Sequence, residues 1–341
     1  MNKISNLENV ICSADTMSQH PELYHYTGPA AFEGIVTSQT LWCSHFSEMV
    51  DADEVRLMRD LLPPAIAPLM DSIIEKENRH TRRLWTKAGR GEKTARDLVN
   101  SLYGATFDGQ ADYTAFDAYL FSFSTHAEDT DFDREHGIRS QWERYAGVEG
   151  YCLVFDIREI ARALGQEGAA RYWAWLMVRP VRYADRPVEE IFPELVNGLA
   201  DTLRQFIHGL KIPEMAVPQF LDGSTLLKGA RYKSERELRI VAVPGTAAMA
   251  AYAAKEHPQQ FDSTKPFPQI RRRPKSSKRY IALFEGLGLR LPIKRVIVGP
   301  GARQEERAER ARSIVGNVPV TLSRCPFVSA LIGFASATTD D

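Results

Sequence analysis

Cysteine is scarce in this 341-residue chain. Cys12, Cys43, Cys152 and Cys325 lie far apart, with no Cys-x-x-Cys pair. That spacing argues against a disulfide framework or a thiolate zinc site and leaves buried free thiols as the expectation. Net charge is also nearly absent, since 43 Lys and Arg stand against 44 Asp and Glu. Attraction of the whole chain to nucleic acid or to an anionic membrane is thereby excluded, and any such binding must come from a local patch. Long hydrophobic runs are missing: the opening MNKISNLENVICSADTMSQH has no apolar core of signal type, and the late run FVSALIGFASA is too short to span a bilayer. A cytoplasmic protein with no membrane partner is expected. Nucleotide fingerprints are incomplete too. VIVGPGARQEERAERAR has no Lys-Ser/Thr after its turn, and GLGLRL lacks a third glycine. The first of these still leaves a helix N-terminus able to receive an anion. No His, Glu or Cys spacing suggests a metal.

What is present is an ordinary globular composition, 44% hydrophobic and 26% charged. The length prior is about two domains, but no internal repeat stands out, and a single α+β domain over residues 1–341 is expected. Alternation predicts strands at Leu23–Thr27, Leu41–Cys43, Tyr119–Ser124, YCLVFDI and WAWLMVRPVRY, with a helix at Ala30–Ser38 between the first two. Residues 50–117 read as a helical insertion, broken at Pro63-Pro64. The basic stretches NRHTRRLWTKAGRGEK and RRRPKSSKR read as solvated connections, the second because it is proline-interrupted and has no interleaved aromatics. In DTDFDREHGIRSQWERYAG, Trp142 and Tyr145 stand one helical turn apart and are expected in the core, with the acids before them forming a mobile rim.

The most unusual stretch is YKSERELRIVAV. Its end is a strand, and extending that strand back to Glu235 puts Glu235, Glu237 and Arg239 on one face. Two carboxylates about 6.6 Å apart repel by roughly 2.5 kcal/mol at an effective dielectric of 20. On a solvated surface that is inexpensive, whereas in a cleft it needs a use. Two other constellations accompany it. His25 and Thr27 share a face of the first strand, where an imidazole and a hydroxyl can bond a ligand. Ser122 and Ser124 share the face of their strand opposite Tyr119, Phe121 and Phe123.

Taken in order, LYHYT at 23–27, FSFST at 121–125, QWERYAGVEGYCLVFD at 141–156 and SERELRIV at 234–241 resemble the bacterial domain-of-unknown-function family 2971. One departure is SEMVDADEVR, where members often carry Asn-Asp-Pro; Asp51, Asp53 and Glu54 keep the acidity without the turn. More loosely, the order of His, Ser and Glu-x-Glu strands is similar to the ADP-ribosyltransferase fold, a split mixed β-sheet with an NAD cleft. That resemblance implies NAD as substrate. His25 and Thr27 would hold its adenine-side ribose, and Ser122 or Ser124 would pack beside the nicotinamide ribose. Glu237 would bond the 2′-hydroxyl and Glu235 would orient or deprotonate an unknown protein or nucleic-acid acceptor. Arg239 would moderate the repulsion or hold a phosphate. A toxin or defence effector fits this activity. The other classes in play are a nucleotide-binding module without turnover and a nucleic-acid-directed protein using 79–93 and 271–279.

Overall fold

The computed structural model describes residues 11–49, 54–88, 91–107, 117–147, 149–208, 216–256, 262, 264–274 and 276–326. The fold is mixed α and β. Its strands in chain order are β1 (Glu22–Thr27), β2 (Leu41–His45), β3 (Tyr119–Ser124), β4 (Tyr151–Asp156), β5 (Trp173–Pro180) and β6 (Arg182–Ala184). They continue with β7 (Leu227–Gly229), β8 (Glu237–Pro244), β9 (Ile270–Arg272), β10 (Arg279–Leu283), β11 (Ile293–Val298) and β12 (Val320–Leu322). The chain divides into two compact units, each made of separated segments. The larger holds Leu41–Ser122 and Leu164–Leu283 with the first segment up to Ser13; the smaller holds Ala14–Thr40, Phe123–Ala163 and everything from Phe284.

In the larger unit the strand order runs β3-β2-β10-β9, and β8 pairs with both β3 and β5. β8 has neighbours on both sides and is buried along its whole length, as the run Ile240–Val243 requires of a central strand. Helices Glu54–Lys76, Arg79–Ala88 and Glu92–Phe107 occupy the stretch expected to be helical; residues 50–53, 89–90 and 108–116 of it, with Asp51 and Asp53, lie outside the described residues.

Two expectations fail here for a physical reason. The predicted break at Pro63-Pro64 does not occur, because the first of these helices runs through both prolines and Pro68. Each internal proline removes an N–H bond and costs about 3 kcal/mol. Against that, Met58, Leu62, Ile66, Met70 and Ile74 form one buried stripe at four-residue spacing, packed with Leu98, Val99 and Leu102. Each such side chain contributes about 1.5–3 kcal/mol of burial. The basic stretch after it is likewise a helix rather than a connection, pinned by Trp85, whose indole N–H donates to the Ile207 carbonyl at 2.9 Å.

In the smaller unit β1 lies against β4, β4 against β11, and β11 runs parallel to β12. Register sets Tyr26, Cys152 and Ile297 side by side across three strands, and Trp142 closes over them in one cluster. Trp142 is fully enclosed, in T-shaped contact with Tyr26 at 4.9 Å. Tyr145 corrects the sequence expectation, being 44% exposed. The segment Trp142–Ala146 is a π-helical turn, and its wider winding swings the second ring out of line with the first. The acids before it form the first turn of a helix, Asp131–His136, in which Thr130 accepts from the Asp133 N–H. That placement suits the positive helix end. All four cysteines are buried free thiols.

Candidate functional site

Glu235 is not on the strand. The residues before β8 form a 3₁₀ turn, Ala230–Glu235, and Arg236 takes a left-handed conformation at φ 45° to enter the strand. The two glutamates are therefore not a simple two-residue strand repeat. They are brought together by a residue that sequence reasoning passed over. Lys228, on β7, donates to Glu235 Oε2 at 2.6 Å and to Glu237 Oε2 at 2.9 Å. Its ammonium also lies 4.7 Å from the centre of the Tyr232 ring. Glu237 and Arg239 do share a strand face, and Arg239 Nε donates to Glu237 Oε1 at 2.6 Å while its Nη2 reaches Oε2 at 3.2 Å. The same guanidinium donates to the Thr225 carbonyl at 2.8 Å, so its contacts are those of a residue moderating repulsion. Ser122, from β3, completes the group by donating its hydroxyl to Glu237 Oε1. The Glu237 backbone N–H donates to the Tyr183 hydroxyl at 2.8 Å.

Lys228, Glu235, Glu237 and Arg239 are all buried, none more than 5% exposed. Two cations against two carboxylates make the quartet neutral, the condition under which buried charge is tolerated. Burial by itself would raise the Glu237 carboxyl. The charges of Arg239 and Lys228 and the hydrogen bonds from Arg239 and Ser122 outweigh it and bring the group down to about 2. Glu237 is thus held towards its ionised form in a buried setting. Ser122, half-buried, is the least enclosed member. The sequence does hold a signal for Lys228, in STLLKGA: a lone ammonium in an apolar run demands a buried partner.

The remaining expected site residues, His25, Thr27 and Ser124, belong to the smaller unit. His25 sits opposite Leu153 on β4, half-buried, its ring edge-on to Phe123 at 6.3 Å. Thr27 is buried opposite Tyr151, and Ser124 pairs with Tyr24. That unit has its own polar cluster, on the other face of β1. Arg295 grips both oxygens of Glu22 at 2.9 Å, and the Tyr24 hydroxyl donates to the same carboxylate at 2.7 Å. Tyr24 stacks on His126 at 3.6 Å. His126 Nδ1 faces the Asp133 carbonyl at 3.2 Å, which can only accept. Its Nε2 therefore accepts from the Tyr26 hydroxyl at 3.1 Å. Neither His126 nor Arg295 was singled out in the sequence, because their partners lie on other segments.

The helix N-terminus expected to receive an anion, at Gln304–Val315, carries Glu305 and Glu306 in its first turn, which already supply negative charge there. Among the described residues no group of three or more His, Cys, Asp or Glu side chains is placed to hold a metal. None of the described helices is long and apolar enough to cross a membrane. Comparison with protein-family models, with curated proteins and with solved structures gave no match to this chain.

Proposed function

We propose that the chain binds NAD and transfers its ADP-ribose, with the split-sheet cleft of the ADP-ribosyltransferase fold as part of the same proposal. One observation carries it: a strand serine, Ser122, donates to a carboxylate, Glu237, that two cations keep ionised in a buried setting. Cleavage of the nicotinamide–ribose bond leaves the electron pair on nicotinamide and positive charge on the sugar. A fixed carboxylate opposes that charge and bonds the ribose 2′-hydroxyl. Glu235 would take the proton from the acceptor as the new bond to ribose forms, with Lys228 holding its carboxylate in place. His25 and Thr27, assigned by resemblance to the adenosine side, lie in the other unit, and the proposal rests on the Glu237 group alone.

The test is nicotinamide release from NAD by the purified protein, with and without bacterial lysate as a source of acceptor. Glu237→Gln should lower the rate about 10²–10³-fold, as loss of a preorganised electrostatic group does. Ser122→Ala, a milder change to the same carboxylate, should lower it less, with both variants checked for folding by thermal melting. A wild-type protein that neither binds NAD nor releases nicotinamide would reduce the quartet to a structural ion network.

A further inference from the structure

The segment Gln269–Tyr280 carries Arg271, Arg272, Arg273, Lys275, Lys278 and Arg279 with no carboxylate among them. It is no loose connection, because β9 and β10 pair antiparallel within it, Arg279 opposite Arg272 and Tyr280 opposite Arg271. On the far side of β10 lies β2, with Tyr280 opposite Ser44 and Ala282 opposite Trp42. Residues opposed across strands point to the same side of a sheet, so this register sorts the cations into two sets. Arg279 falls on one side, where Glu48 meets its Nε at 2.9 Å and Asp117 its Nη1 at 3.5 Å. Arg271 falls on the other, beside Tyr280, Ser44 and Trp42, its Nη2 donating to the neutral Gln269 side-chain oxygen at 3.2 Å.

Arg273 joins that second set. Its Nη2 donates to the Ser44 hydroxyl at 2.9 Å, and its guanidinium lies 5.9 Å from the Trp42 ring centre. Its Nε is buried with no hydrogen-bond acceptor. Lys278 donates to a backbone carbonyl, that of Glu48, at 3.0 Å and not to a carboxylate. Trp42 is stacked on Tyr280 at 4.3 Å and still 39% exposed. One side of the indole is thus braced by a buried ring, a guanidinium lies near it, and part of its surface faces solvent among cations. The aromatics missing from residues 271–279 are supplied by the neighbouring strand, through Trp42, and by Tyr280 just after them.

We propose that this face of β2, β10 and β9 binds a single-stranded polynucleotide, with Trp42 stacking a base and Arg271, Arg273 and Lys278 holding the phosphates on either side. Cations interleaved with an open aromatic fit a ligand that alternates anions with planar rings. A duplex hides its base faces, and an acidic peptide has no ring to place on the indole. RNA and DNA share the chemistry used here, so both should bind. Ser44 opposes Leu120 on β3, and Ser122 lies two residues further along the same side, so the site adjoins the Glu237 group, but its binding does not depend on NAD chemistry.

The experiment is fluorescence anisotropy with a labelled oligouridylate of about 20 nucleotides, its deoxythymidylate counterpart and a duplex of the same length, between 50 and 200 mM salt. The single strands should bind within a few-fold of each other and more tightly than the duplex. Three phosphate contacts predict a log–log salt slope of about −2 for a single strand. Trp42→Ala should weaken binding about tenfold or more, and Trp42→Phe should restore most of it. Lys278→Ala, an exposed change that leaves folding intact, should weaken all single strands alike and reduce the slope by about 0.7. Absence of binding at 50 mM salt, equal affinity for the duplex, or a Trp42→Ala protein that melts and binds like wild type would each overturn the proposal.

Discussion

Lys228→Met is the most informative single substitution in the quartet. Methionine keeps the length and the apolar stem of lysine and removes only the ammonium, which bonds Glu235 at 2.6 Å and Glu237 at 2.9 Å. Two carboxylates, each no more than 5% exposed, would then share the single charge of Arg239. Removing one partner from a buried ion pair costs about 3–5 kcal/mol, most of it from the charge left behind. Glu237 retains Arg239 and Ser122, so the larger share of the loss falls on Glu235. The double variant Lys228→Met/Glu235→Gln should therefore recover about 1–2 kcal/mol relative to Lys228→Met, because one orphaned charge has gone with its partner. Urea denaturation followed by far-UV circular dichroism measures both, with the loss read as a shift in midpoint at unchanged slope. If Lys228→Met stays within about 0.5 kcal/mol of wild type, or if the second substitution adds its own full cost, the three side chains do not act as one buried unit.

Other outcomes follow from single contacts. Glu237 is lowered from 4.5 to about 2 in the folded chain, so its contribution is complete above about pH 5 and is lost as pH falls from there towards 2. The span corresponds to about 3 kcal/mol, and a Glu237→Gln protein should show a flatter stability profile over that window in acid titration. Trp142→Ala should cost about 3–5 kcal/mol, since the ring is fully enclosed and its N–H donates to the His136 carbonyl at 3.1 Å. Tyr145→Ala, at a half-open position, should stay within about 0.5 kcal/mol, and equal melting losses for the two would mean both rings are core. Gly137→Ala should be destabilised by at least about 2 kcal/mol, because φ is +79° and an added Cβ would sit 2.6 Å from Trp142 Nε1. A wild-type melting temperature in that variant would show that the turn can relax.

Much of the local structure was legible. β1 and β3 appear where alternation placed them, and β3 matches residue for residue, since aromatic side chains recurring with a period of two have few other solutions. The start of β8 was not legible. Arg236 turns through a left-handed conformation, and nothing in Ser-Glu-Arg-Glu signals that a non-glycine will do so. Propensity also misjudged the helix containing Pro63 and Pro64, where the buried stripe outweighs the lost hydrogen bonds. Within the site, the Glu237–Arg239 pairing came directly from strand parity. Lys228 reaches the glutamates from a different strand, a contact that only tertiary structure creates. The aromatic partners of the basic segment were invisible for the same reason: Trp42 precedes that segment by more than two hundred positions and meets it only through the pairing of β2 with β10.

The division of the chain bears on how it is made. The path passes from one unit to the other after residues 13, 40, 122, 163 and 283, and the third of these passages falls within a single strand, β3. During synthesis neither unit can close early. The larger lacks β10 until Leu283 has left the ribosome, and the smaller lacks β11 and β12 until Leu322 has done so. Translation at about 5–20 residues per second holds the first strands without their final partners for many seconds. Apolar edges such as β1 and β4 then wait in the cell as unpaired template, which is the state that chaperones bind and that aggregation exploits. No cut between residues releases either unit whole. Truncated forms that lose any of these strands should accordingly be recovered as insoluble material, whereas permuting the termini leaves every strand present.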